Sequence, residues 1–96
     1  MTVDAFKTSL TQSEPPAGLN VLLRALWHEG KGNWEAAHEV AQAANTPAHC
    51  RLHAYLHRKE GDHGNARYWY SRAGCPVPAT SLAEEWEALV RAFGAA

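Results

Sequence analysis

The sequence predicts an all-α fold, an array of antiparallel helical hairpins with about five main helices. Three observations lead there: apolar residues recur at helical spacing in successive windows, no window alternates convincingly at period two, and glycines and capping residues punctuate the windows at short intervals. The 96 residues are 46% hydrophobic and 20% charged, the balance of one globular domain.

Each element has its own signal. Residues 1–14 form an N-terminal segment with Val3, Phe6 and Leu10 at helical spacing, broken at Ser13-Glu14-Pro15-Pro16. A first hairpin is expected over 15–45. Proline suits a helix's first turn, because its missing N–H would have no intrahelical partner, so a helix is expected over 16–31. Leu19, Leu22, Leu23 and Leu26 form its apolar face, and Gly30-Lys31-Gly32 ends it. Asn33 is a candidate N-cap with Glu35 in the first turn, and Trp34, Ala37, His38, Ala41 and Ala44 share one stripe of the next helix.

A second hairpin is expected over 46–74. Thr46-Pro47 opens its first helix, which runs to about Glu60 with Leu52, Tyr55 and Leu56 inward. Gly61 closes it, and Asp62 or His63 opens the next, with Ala66, Trp69, Tyr70 and Ala73 on one face and Gly74 as the left-handed closing residue. Cys75-Pro76-Val77-Pro78 cannot be helical, so 75–80 is an extended connector. Ser81 and Glu84 form a capping box for a helix over 81–94, whose stripe of Leu82, Trp86, Leu89, Val90 and Phe93 leaves Glu84, Glu85, Glu87 and Arg91 outside.

Composition excludes several roles. A net charge of −1 offers no footprint for nucleic acid. The longest strictly aliphatic run is Val21-Leu22-Leu23, which rules out a membrane-spanning helix. Two cysteines are too few for a disulfide scaffold, and no apolar leader follows the N-terminus, so a reduced cytoplasmic protein is expected.

The two hairpins repeat. Ala25, His28, Gly32, Ala37 and Ala44 align with Ala54, His57, Gly61, Ala66 and Ala73 at an offset of 29 residues. Gly32-Asn33-Trp34 followed by Ala37, and Gly61-Asp62-His63 followed by Ala66, resemble the inter-helix turn of a tetratricopeptide repeat. Tyr70, Ala73 and Pro78 fall at that family's second-helix aromatic, alanine and closing proline. Val21 and Cys50 stand at its first tryptophan position, and Ala41 replaces the aromatic in the first copy. The resemblance covers residues 19–78. It implies a right-handed hairpin array, a last helix that caps it, and a non-enzymatic scaffold that binds a protein or peptide or self-associates. It also implies that Arg51, Tyr55 and Arg58 face a ligand, whose carboxylate the arginines would clasp. A solvated face with Arg58 or Lys59 paired to Asp62 is the competing reading of those positions.

Six histidines are the chemical anomaly. His49, His53 and His57, four apart, form a ridge on one helix, and His38 lies on the core stripe of the helix before it. His38, His53 and His57 are therefore expected to meet between the hairpins. Three readings stay open: core-edge rings that each donate one N–H, a polar pocket for an anionic or hydrogen-bonding ligand with Asn65, Tyr68 or Tyr70, and a transition-metal site, for which His-x3-His on one helical face is competent. The sequence assigns no cofactor, no metal and no catalytic residue. It lacks a phosphate-binding loop, a nucleophile elbow and the glutamate of a zinc-protease motif. Cys50, three residues from His53, reads as a small buried hydrophobe.

Overall fold

A computed structural model describes residues 1–95. Among them are six helices and no strand: α1 (Val3–Ser9), α2 (Val21–Gly30), α3 (Trp34–Ala41), α4 (Pro47–Lys59), α5 (His63–Ala73) and α6 (Leu82–Gly94). The all-α expectation holds. No helix is long and apolar enough to cross a membrane.

Side-chain caps start the helices. Thr46 accepts from His49 N ahead of Pro47, Asn33 accepts from Ala36 N, and Asp62 accepts from Asn65 N. The capping box of α6 is complete, with Ser81 Oγ accepting from Glu84 N at 3.1 Å and Glu84 Oε1 accepting from Ser81 N at 3.3 Å. One start differs from expectation. Pro15 and Pro16 lie outside any helix, and α2 opens only at Val21, where the Asn20 side chain accepts from Leu23 N at 2.9 Å and donates to Phe93 O at 3.0 Å. Proline permits a first turn, but a side chain that satisfies an orphan N–H and also ties down α6 decides where the turn is. α3 also stops at Ala41, short of Ala44.

The two tight turns share one backbone conformation, which gives the 29-residue repeat a structural counterpart. Gly32 and Gly61 have φ of 92° and 89°, values glycine adopts without steric cost. Asn33 N donates to His28 O at 2.8 Å, and Asp62 N donates to His57 O at 2.9 Å, closing equivalent left-handed ends. Asn33 and Asp62 then cap the following helices, so each turn stops one helix and starts the next within three residues.

α2 packs on α3, α4 on α5, α3 on α4, and α2 also touches α4. Ala54 and Ala66 are buried with Tyr70 between α4 and α5, where small side chains let the two backbones approach. The last helix covers more than the end of the second hairpin: α6 packs against α2, α4 and α1. Its Leu89, Trp86, Val90 and Phe93 join Leu26, Trp27, Leu52, Leu56 and Phe6 in the main core. Each such side chain contributes about 1.5–3 kcal/mol when removed from water.

Glu85 corrects the expected polar face of α6. It is buried, with its carboxylate taking Arg58 Nη1 at 2.7 Å and the Tyr70 hydroxyl at 2.6 Å. Arg58 also donates to Thr80 O in the connector, so it is paired to α6 and its approach rather than to Asp62. Glu29 is the second buried acid, held by Lys59. Burial, then the Glu85 hydrogen bond, pushes the Tyr70 hydroxyl above its ordinary range, and burial beside Glu29 does the same to Tyr55.

Candidate functional site

His38, His53 and His57 converge where α3, α4 and α5 meet. The i, i+4 spacing on α4 puts the His53 and His57 rings on one face, stacked with centroids 4.8 Å apart and planes at 28°. The His38 ring reaches across from α3 and meets both edge-on, at 4.8 Å from His53 and 5.3 Å from His57. Nε2 of His38 and Nε2 of His53 are 3.1 Å apart. The candidate ligating atoms of the three residues all lie within 4.8 Å of one another.

Aromatic walls hold these rings. Trp34 stacks on His38 with centroids 4.7 Å apart, and its indole N–H is committed to Leu56 O at 2.9 Å. Trp69 stacks on His53 at 3.9 Å and 16°. Trp69, on the apolar face of α5, packs half-buried against the Ala54, Ala66 and Tyr70 cluster and also walls the histidines, with the Arg72 guanidinium 5.6 Å over its ring. Tyr70 is the residue that enters the core, and Tyr68 stands exposed, accepting from Arg72.

Tautomers follow from the partners. Glu60 Oε1 lies 2.6 Å from His57 Nδ1, so in the neutral ring that nitrogen carries the proton and Nε2 keeps the lone pair. The Asn65 amide nitrogen, 3.4 Å from Nε2, donates to it. Between His38 and His53 a single N–H is shared, one Nε2 donating and the other accepting. Burial, followed by the neighbouring His57 and His38, lowers the His53 pKa from 6.5 to about 4. That ring is neutral at pH 7, which is the form that ligates metals.

The geometry is close to a chelate. Two nitrogens on a tetrahedral ion at about 2.0–2.1 Å stand roughly 3.3–3.4 Å apart. The His38–His53 pair is already within a few tenths of an ångström of that separation. Glu60 on His57 is the carboxylate–histidine arrangement that orients a metal ligand and raises its basicity.

The other histidines do not join. His49 turns its Nδ1 to Thr46 Oγ1 at 2.6 Å, completing the N-terminal turn of α4. His28, the repeat equivalent of His57, packs edge-on against Trp27. His63 is exposed at the start of α5.

The expected ligand-facing trio is not part of this site either. Tyr55 is in the main core, Arg58 is engaged by Glu85, and Arg51 lines a surface cleft with Leu22, Cys75 and Phe93. The sequence reading missed Glu60 as the orienter of His57. Its i+3 position after a helical histidine was the available signal.

Comparison of the chain with family models, curated proteins and solved structures finds no match.

Proposed function

We propose that this protein binds a divalent transition-metal ion through His38, His53 and His57. The observation that carries the reading is the convergence of three imidazoles from two helices, one of them oriented by a carboxylate. Neutral imidazole suits zinc, copper, nickel and iron, and the absence of thiolate from the set disfavours soft-metal chemistry. A bound ion would link α3 to α4, and so the first helix pair to the second, which makes metal binding and folding stability one linked equilibrium.

The test is metal titration of tag-free, chelator-treated protein by calorimetry, with thermal unfolding alongside. One ion per chain is expected. An ion present at 100 times its Kd adds about 2.7 kcal/mol, which in a domain this size raises Tm by roughly 11–22 °C. His53→Ala should abolish both effects, and His63→Ala should leave both intact. A wild-type chain that takes up no metal, or a His53→Ala chain that binds as well, would refute the reading.

A second reading is supported by a separate observation. α6, an amphipathic acidic helix, lies on α2 and α4, with Glu85 clasped by Arg58. That is the way a helical groove receives a partner helix, and it suits a protein- or peptide-binding scaffold of tetratricopeptide type, with α6 holding the position a partner would take. A labelled peptide spanning 81–95 should then bind the full chain saturably by exchanging with α6, and a complete lack of binding would count against a scaffold role. A reducing, cytoplasmic setting agrees with the two free thiols, Cys50 and Cys75.

A further inference from the structure

We propose that the metal held by His38, His53 and His57 keeps one coordination position for an exchangeable water or small monodentate anion, and that Asn65 is the residue that positions this ligand. The inference rests on the metal-binding reading above and concerns the ion's remaining coordination.

Two features of the site carry it. Among the described residues, no carboxylate or thiolate joins the three imidazoles as a fourth donor; Glu60 and Asp62 group with His57 on its other side. Sites with three protein ligands hold water or substrate in the fourth place, whereas closed structural sites supply four. Three neutral imidazoles also leave the ion's full positive charge uncompensated, so an anion is the favoured occupant.

The second feature is Asn65. Its half-buried amide nitrogen donates to the lone pair on His57 Nε2, at 3.4 Å. That lone pair is the one the metal would take, because Nδ1 is committed to Glu60. Metal binding therefore removes the acceptor from a half-buried N–H beside the ion. A donor left without a partner is costly, and an anion in the fourth position restores one. Trp34 and Trp69 stack their ring faces on His38 and His53, and the Trp34 N–H is bonded to Leu56 O. One donor among aromatic faces suits a small monodentate anion, such as hydroxide, azide or a halide.

The experiment is azide titration of the tag-free, full-length chain loaded with one equivalent of Co2+, followed by visible absorption in a non-coordinating buffer. Saturable change in the cobalt bands at one azide per ion is expected. Asn65→Ala should weaken azide by about tenfold, the loss of one hydrogen bond to a charged ligand, while cobalt affinity stays within about threefold. Asn65→Asp, which keeps the shape but replaces the donor with a carboxylate, should abolish azide binding while retaining cobalt. Cobalt bands indifferent to azide would overturn the open position while leaving the metal reading standing. Wild-type azide affinity in Asn65→Ala would overturn the role of Asn65. Absence of any cobalt band would overturn the metal reading itself.

Discussion

Acidifying the metal-free protein between pH 7.5 and 5.5 should cost it stability through His53, and the amount can be worked from the site. The unfolded ring titrates at 6.5 and the folded ring at about 4, because burial and the facing His57 and His38 disfavour its charge. The folded pKa is therefore depressed. Below 6.5 the unfolded chain binds a proton that the folded chain refuses, so stability is full above 6.5 and falls as the pH drops towards 4. At pH 5.5 one such group costs about 1.3 kcal/mol at most, and water reaching the site past half-buried His38 brings this to about 1 kcal/mol. In a domain of this length that is roughly 4–8 °C in Tm. The control is His53→Phe, which keeps a flat ring against Trp69 and removes the titration. Thermal unfolding by far-ultraviolet circular dichroism, with chelator present, should show wild type losing about 4–8 °C more than the variant between the two pH values. Equal losses would refute the reasoning, because they would mean that the His53 ring is protonated as easily folded as unfolded.

Further predictions follow from the packing. Glu85→Ala removes the partner of Arg58 and of the Tyr70 hydroxyl inside the protein, and urea unfolding should show a loss of about 2–4 kcal/mol, with Glu85→Gln losing less. Equal stability of wild type and Glu85→Ala would mean that the buried carboxylate contributes nothing to holding α6. Asn20→Ala loses the cap of α2 and the bond to Phe93 O together, at about 1–2 kcal/mol by the same measurement. Deleting residues 80–96 uncovers Leu26, Leu56 and their neighbours, and light scattering should report aggregation; a monodisperse helical product would contradict the part given to α6 in the core.

Much of this was legible because it is local. Caps at Asn33, Thr46 and Ser81 and the left-handed Gly74 depend on residues within one turn and appear where the pattern put them, and of the two residues left open for the start of α5, Asp62 is the cap. The pairing of His53 with His57 is equally local, since i, i+4 neighbours on a helix share a face. Pro15-Pro16 misled for an instructive reason: the prolines restrict only their own backbone, while Asn20, capping Leu23 N and tied to Phe93 O 73 residues away, marks the start of α2.

The acids were illegible. Glu29 and Glu85 look like solvent-facing positions until a cation from α4 neutralises each, 30 and 27 residues off in sequence. Helical periodicity marks Trp69 as lying on the inward side of α5, but not that its ring would stack on His53 of α4.

Local rules of propensity, capping and period thus determined from sequence alone that this chain is helical, where most of its turns fall, and that imidazoles crowd one face of α4. Packing between distant segments decided the rest: that Glu29 and Glu85 are buried beside cations from α4, that Trp69 stacks on His53, and that α6 lies across α2 and α4. The division has one physical origin. Backbone hydrogen bonds and side-chain spacing act over three or four residues, whereas burial couples whichever surfaces the folded chain brings together.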